Sequence, residues 1–228
     1  MQRIFDIIFS GIALIFFLPF FLILYLILRN TGEGEVLYKQ VRVGYKGRRF
    51  EIYKFATMIK NSPNIGAGTL TMKNDPRVLP LGRFLRNTKI NELPQLLNIF
   101  LGDMSIVGPR PLVPDGEKNY THEQSKIIRS LRPGVTGIGS LVLRDEESYY
   151  AHRLDAHEFY QNVISPYKFL LEKWYIERKT FYLDMKIIIF TFISIIKPSL
   201  SLSSFFLDLP KMSKTMIKSR DEAGFSEI

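Results

Sequence analysis

The longest uncharged run of the chain, Ile7 to Leu28, limits the fold more than any other feature. It is 22 residues long. As a straight helix it measures about 33 Å, enough to cross a hydrocarbon core of about 30 Å. It is too long for the apolar part of a cleaved signal peptide, and no small-x-small site precedes Arg29. Pro19 sits in its middle. A proline has no N–H, and its ring crowds the carbonyl four residues back, that of Ile15. In lipid that carbonyl needs another partner. Two shapes meet the constraint: a kinked spanning helix, or a broken helix that enters and leaves through one leaflet. Arg3 lies before the run, and Arg29, Lys39 and Arg42 after it. Positive charge prefers the cytoplasmic side, so basic residues at both ends favour the re-entrant shape.

Charge and cysteine content narrow the class. Lys and Arg number 31 against 22 Asp and Glu, a net +9, which suits nucleic acid, an anionic membrane surface or a phosphorylated ligand. The charge is spread along the chain without a nucleic-acid motif, which argues against nucleic acid. There are no cysteines, so disulfides and cysteine-based zinc sites are excluded. The histidines are His122, His152 and His157. None makes a metal-like pair, and they read as ordinary polar residues.

A polar linker, 30–35, follows the apolar run. Val36 to Val43 and Arg48 to Phe55 read as strands around the turn Gly44-Tyr45-Lys46-Gly47, which predicts an antiparallel hairpin. Ala56 to Lys60 begins a short helix, and Asn61 to Gly68 is a loop. Leu81 to Asn87 is a basic helix. A longer helix starts near Asn91, with Asn91 as cap, Leu93, Leu96, Leu97 and Phe100 as apolar face, and Gly102 as its end. Pro109 to Pro114 is irregular. Ser165-Pro166 starts another helix, with Ser165 as cap. Ile187 to Ile196 is too short to span a bilayer and is either core or interfacial. Phe205, Leu209, Met212 and Met216 fall on one helical face and Lys211, Lys214 and Lys218 on the other, a pattern that lies flat on anionic lipid or packs on the domain itself.

The chemistry concentrates between Arg83 and Pro111. Glu92 is placed at a helix start, where the dipole stabilises a carboxylate. Arg83 and Arg86 lie on the preceding basic helix, and Arg110 is held between Pro109 and Pro111. Guanidinium groups bind phosphate oxygens through paired hydrogen bonds. A magnesium–diphosphate site needs one or two carboxylates plus substrate oxygens. Asp103, after Gly102, reads as a turn residue, and Asp145-Glu146-Glu147 as a solvated acidic loop.

An ordered series of motifs resembles a known family. They are Lys39-Gln40-Val41-Arg42-Val43-Gly44, Ile52-Tyr53-Lys54-Phe55, Asn74-Asp75-Pro76-Arg77 and Gly82-Arg83-Phe84-Leu85-Arg86. Glu92-Leu93-Pro94-Gln95, Gly102 through Pro111, and Arg132-Pro133-Gly134-Val135-Thr136-Gly137 complete the series. The chain is similar to the monotopic phosphoglycosyl transferases, bacterial enzymes that move a sugar phosphate onto a polyprenyl phosphate. The resemblance runs from the apolar segment to about Ile196. It implies attack by an Asp, next to a Glu, on a nucleotide sugar (usually a UDP-sugar), with release of UMP and transfer of the phosphosugar to polyprenyl phosphate. It also implies Mg²⁺, phosphate-binding arginines at Arg86 and Arg110, and a membrane helix broken at Pro19, with the site at the cytoplasmic membrane surface. Arg83, Lys54 and Arg132 join them as candidate substrate-binding residues.

Two departures stand near the site. Asn91 occupies the nucleophile's position, and a neutral amide is a poor phosphoryl nucleophile. Ala56 replaces an arginine of the family motif; a smaller difference is Leu18, where a serine is frequent. Glu92 is the best substitute, as nucleophile, as Mg²⁺ ligand, or as base in a direct transfer; Asn91 is left to cap its helix and bond a phosphate.

The expected architecture is α+β, mostly helical, with a small antiparallel hairpin and a re-entrant N-terminal membrane helix. Residues 1–29 are membrane-embedded, 30–200 form a cytosolic catalytic domain, and 201–228 a basic amphipathic tail. The expected function is transfer of a sugar 1-phosphate to undecaprenyl phosphate at the bacterial inner membrane, initiating a surface glycan such as capsule, lipopolysaccharide or exopolysaccharide. A catalytically inactive membrane scaffold is the alternative.

Overall fold

The computed structural model describes residues 2–65, 75–150, 153, 155–197, 205–206 and 208–222. The fold is α+β and mostly helical, and it divides into two compact units. The first comprises Met1–Arg42 and Arg49–Ile106, the second Val43–Arg48 and Val107–Ile228.

In the first unit, α1 (Gln2–Arg29) runs as one continuous helix through Pro19, without the break expected at that residue. Its burial is inverted. Asp6, Ser10, Leu24 and Leu28 are buried, while Ile8, Ile12, Ile15, Phe16, Leu22 and Ile23 are exposed. A helix that buries polar groups and exposes apolar ones is matched to an apolar solvent, and α1 is long and apolar enough to cross a membrane. The buried polar groups have work to do. Asp6 accepts from Ser105 Oγ (2.8 Å) and from the amide of Ile106 (3.2 Å). Arg3 donates to the carbonyls of Ile99 (2.5 Å) and Phe100 (2.8 Å). At the other end of α1, Leu24 and Leu28 form a core cluster with Phe55 and Leu85. Both ends of the helix therefore rest on the same unit.

The expected hairpin is present as β1 (Leu37–Val43) and β2 (Arg49–Phe55). Ala56 to Lys60 is not the start of a helix: the chain there is extended, with Met58 bridging to Val78 and Leu79 donating to Thr57 O (3.0 Å). The next helix is α2 (Pro80–Asn87), with Pro80 in its first turn. Asn91 is not a helix cap. It lies inside a 3₁₀ turn, Ile90–Glu92, and α3 (Gln95–Leu101) begins beyond Pro94. Gly102 closes α3 in the left-handed region, φ 100°, and Asp103 lies in the turn as expected. The face predicted to be apolar turns inward only in part, with Leu93 and Leu96 half-buried. Leu97, Phe100 and Leu101 are exposed, whereas Gln95, Asn98 and Ile99 are buried. Asn98 can be buried because its side chain is satisfied on both sides. Its Nδ2 donates to Glu51 O (2.7 Å) and its Oδ1 accepts from Tyr53 N (3.1 Å), so α3 docks on the free edge of β2. A strand β3 (Ser105–Val107) follows.

The second unit holds α4 (Pro114–Glu117), α5 (His122–Ile128), β4 (Gly134–Thr136) and α6 (Ile138–Val142). After them come α7 (Ala156–Phe159), α8 (Ser165–Arg178), α9 (Phe181–Ile196) and α10 (Lys214–Glu222). A capping box at Thr121 and Gln124 starts α5. Ser165 is not a cap. A π-helical stretch, Tyr160–Ile164, joins α7 to α8, and Ser165 has helical dihedrals within a continuous rod. A π turn of this kind accommodates the amide that Pro166 lacks. In α9, Ile187 is core, while Ile189, Phe192 and Ile196 are exposed. The segment from Phe205 to Lys218 is not one amphipathic helix, since α10 starts only at Lys214. It packs on its own unit at several points. Phe206 meets Trp174, Pro210 O accepts from Tyr167 Oη (3.0 Å), and Ser219 donates to Tyr149 O (2.5 Å). Met216 is fully buried. Nor is Glu146 a bare solvated charge: it pairs with Lys168. His152 lies outside the described residues, and among those residues no cluster of three His, Asp or Glu side chains forms.

Candidate active site

Three elements of the first unit meet around Glu92: the end of β2, helix α2, and the 3₁₀ turn. Gly82 brings α2 close, because a Cβ at that position would lie 2.1 Å from Thr57 O. Asn98 fixes α3, and with it the turn just before, against β2. The result joins Lys54 and Glu92, 38 residues apart in sequence: Lys54 Nζ donates to Glu92 Oε1 at 2.6 Å. Both side chains are largely shielded, at 17% and 19% exposure, so the pair is stronger than a surface ion pair. Asn91 is buried at 6% exposure, and its Oδ1 has no hydrogen-bond partner among the described residues. A buried amide oxygen without a donor is costly and invites a ligand. Arg86 is half-buried on α2, and Arg83 is exposed one turn before it. Ala56 is buried. Asp75 and Arg77, from another of the motifs, form a buried bidentate pair (2.5 and 2.8 Å), and Arg77 also holds the carbonyls of Ser62 and Ile65. That arginine serves structure. Asn74 of the same motif lies outside the described residues.

The second unit carries Arg110 and Arg132, both exposed. The reason that Gly108-Pro-Arg-Pro and Arg132-Pro-Gly-Val-Thr-Gly recur as motifs is visible in their packing. Gly108 N donates to Thr136 O (3.0 Å), and Gly134 N to Pro109 O (2.9 Å). The backbones touch so closely that a Cβ on Gly108 would lie 2.3 Å from Arg132 O. One on Gly134 would lie 2.1 Å from Gly108 N, and one on Gly137 2.3 Å from Gly108 O. Three glycines thus bolt one motif to the other. Pro109 and Pro111 are buried while Arg110 between them points outward, its Nη1 3.5 Å from Ser140 Oγ. The Arg132 guanidinium lies over the Tyr45 ring at 5.4 Å.

The protein oxygens that could hold a magnesium ion here are those of Glu92 and Asn91, with one Glu92 oxygen already taken by Lys54. The Glu92 carboxylate and the orphaned Asn91 Oδ1 are adjacent in sequence, and Mg²⁺ characteristically takes one or two protein oxygens and completes its shell with phosphates and water.

Sequence reasoning named Lys54, Glu92, Asn91, Arg83, Arg86, Arg110 and Arg132 singly. It did not find the Lys54–Glu92 pair, the docking of Asn98, or the buried Glu172 behind Arg110. No linear signal marks these, because each joins residues 38 to 62 positions apart.

Comparison with known proteins agrees with the motif series. The family model described as bacterial sugar transferase matches residues 1–198. The exopolysaccharide production protein ExoY of Rhizobium meliloti is 34% identical over 175 residues, covering 71% of this chain and 77% of that protein. The undecaprenyl-phosphate galactose phosphotransferase of Salmonella typhimurium is 32% identical over 203 residues, covering 82% and 39%. The UDP-glucose:undecaprenyl-phosphate glucose-1-phosphate transferase of Klebsiella pneumoniae is 37% identical over 144 residues, covering 61% and 30%. The match therefore spans less than half the length of these two larger relatives.

Proposed function

This chain belongs to the bacterial sugar transferase family, and we propose that it transfers a sugar 1-phosphate from a nucleotide diphosphate sugar, a UDP-sugar, to undecaprenyl phosphate. UMP is the second product, and the reaction starts assembly of a surface glycan at the cytoplasmic face of the inner membrane. The relatives that carry out such transfers support this reading. The observation that carries it in this chain is the shielded Lys54–Glu92 pair beside the unpartnered Asn91 Oδ1, on a unit whose α1 turns apolar residues outward.

Glu92 is the acid of the site. In the covalent course, a Glu92 carboxylate oxygen bonds to the phosphorus that carries the sugar. The bridging P–O bond breaks, and its electron pair leaves with UMP. An oxygen of undecaprenyl phosphate then attacks the same phosphorus, and the acyl-phosphate bond breaks to restore the carboxylate. In the direct course, the lipid phosphate attacks the donor in one step and Glu92 positions the reactants. Lys54 holds one oxygen of Glu92 and offers positive charge to the diphosphate. Arg83, Arg86, Arg110 and Arg132 are the candidate phosphate and donor contacts. Glu92 and Asn91 would hold Mg²⁺, which when bound neutralises diphosphate charge.

The membrane reading is a re-entrant or surface-lying α1. A helix that crosses the bilayer parts its ends by about 30 Å of hydrocarbon. Here Arg3 and Asp6 at one end, and Leu24 and Leu28 at the other, contact one unit, which favours both ends on one side.

Detergent-purified protein given UDP-sugars, Mg²⁺ and undecaprenyl phosphate is expected to release UMP, and Glu92→Gln to lower that rate about a hundredfold or more. No release across a broad donor panel sinks the proposal. Intact mass after exposure to donor alone separates the two courses: a phosphosugar adduct on Glu92 marks the covalent one. Asn91 and Ala56, where the family has an acid and an arginine, favour the second reading, a scaffold without activity. That reading requires Glu92→Gln to leave the glycan phenotype untouched.

A further inference from the structure

Pro109 and Pro111 have no N–H, so the Arg110 amide is the one backbone donor in residues 109–111. It donates to Glu172 Oε1 at 3.3 Å, across 62 residues of sequence. Glu172 is buried in α8 at 5% exposure. Its carboxylate is wedged in place by the absence of a side chain opposite, since a Cβ on Gly139 would lie 2.5 Å from Oε1. Its Oε2 is buried and has no hydrogen-bond partner among the described residues. A buried carboxylate left half-satisfied is unfavourable for stability, and an apolar residue would fill the same space at lower cost. The carbonyl of Pro109 is already taken by Gly134, and Gly108 N by Thr136. The amide of Arg110 is thus the remaining backbone N–H of residues 108–111, and α8 meets it through Glu172.

We propose that Glu172 is a positioning residue: it grips the Arg110 backbone from inside the unit so that the guanidinium outside is presented to the donor's diphosphate. The inference rests on the proposed role of Arg110 in binding phosphate. Its structural half stands apart from that role. Gly139 belongs to the same device, because any side chain there displaces the carboxylate from the amide.

The test compares Glu172→Ala with Glu172→Gln in the full-length protein. Gln keeps an oxygen acceptor at the Oε1 position and Ala does not. Hydrogen exchange at the Arg110 amide, the sole amide hydrogen of residues 109–111, is expected to quicken at least about tenfold in Ala and to stay near wild type in Gln. In the UMP-release assay, Ala is expected to raise the KM for donor about tenfold with kcat changed less than about threefold, and Gln to restore KM. Unchanged exchange at Arg110 in the Ala variant overturns the inference. So does a Glu172→Ala enzyme with wild-type KM and only a lowered melting temperature. A wild-type protein that releases UMP from no donor sinks the proposed function instead, while the exchange measurement still decides whether Glu172 holds Arg110.

Discussion

Glu92 and Glu172 are both drawn away from bulk water, and their surroundings treat them differently. Glu92 has a lysine ammonium at 2.6 Å. Glu172 is deeper, and burial pushes its carboxyl up from 4.5 to about 7, only partly offset by the Arg110 amide and by the charges of Lys168 and Arg110. The groups that face it are Lys168 on its own helix, Arg110, and Tyr120, whose own hydroxyl is pushed upward mainly by burial. Lys168 is itself held charged: burial opposes its charge most strongly, but Glu146 and Tyr160 together more than offset it. A carboxyl whose folded value is raised contributes stability that is fully present below pH 4.5 and is lost as pH rises through about 7. That rise corresponds to about 3 kcal/mol at most. Denaturant unfolding followed from pH 4.5 to 8 is expected to show this loss in wild type. Glu172→Gln, which cannot ionise, is expected to lack that component. Parallel pH curves for the two proteins contradict the assignment.

Among the elements, α3 is the one whose orientation overturns a sequence-based expectation. Hydrophobic periodicity places Leu97 and Phe100 inward, yet they are exposed and Asn98 is buried. Two features account for this. The backbone of β2 offers an N–H and a C=O to a side-chain amide of the right reach, and the same unit carries α1, long and apolar enough to cross a membrane. Asn98→Ala removes both bonds to β2 and leaves Tyr53 N and Glu51 O without them. It is expected to cost about 2–4 kcal/mol in a denaturant titration and to reduce activity through displacement of the 3₁₀ turn that carries Glu92. Leu97→Ala, on the exposed face, is the control and is expected to change stability by less than about 0.5 kcal/mol. A harmless Asn98→Ala removes the docking argument.

At the scale of the whole molecule, the deciding relation is between α1 and the unit on which both its ends rest. The chain lacks cysteine, so single cysteines report without background. Gln2→Cys and Asn30→Cys are both expected to react with a membrane-impermeant maleimide in inside-out vesicles and neither in right-side-out ones. Labelling from opposite faces would establish a spanning helix and remove the reading of α1 as re-entrant.

The hairpin, the basic helix α2, the stop at Gly102 and the apolar N-terminal helix were legible in the chain because each is set by local rules: alternation, turn residues, proline and glycine dihedrals, and length. The series of motifs made the family legible for the same reason, as ordered local patterns. The Lys54–Glu92 pair, the amide of Asn98 on β2 and the grip of Glu172 on Arg110 were decided only by folding. Each is a contact between distant residues with no periodicity of its own. Whether a polar side chain is buried depends on a partner that no local window contains, and whether an apolar one is exposed depends on the solvent that the assembled surface meets.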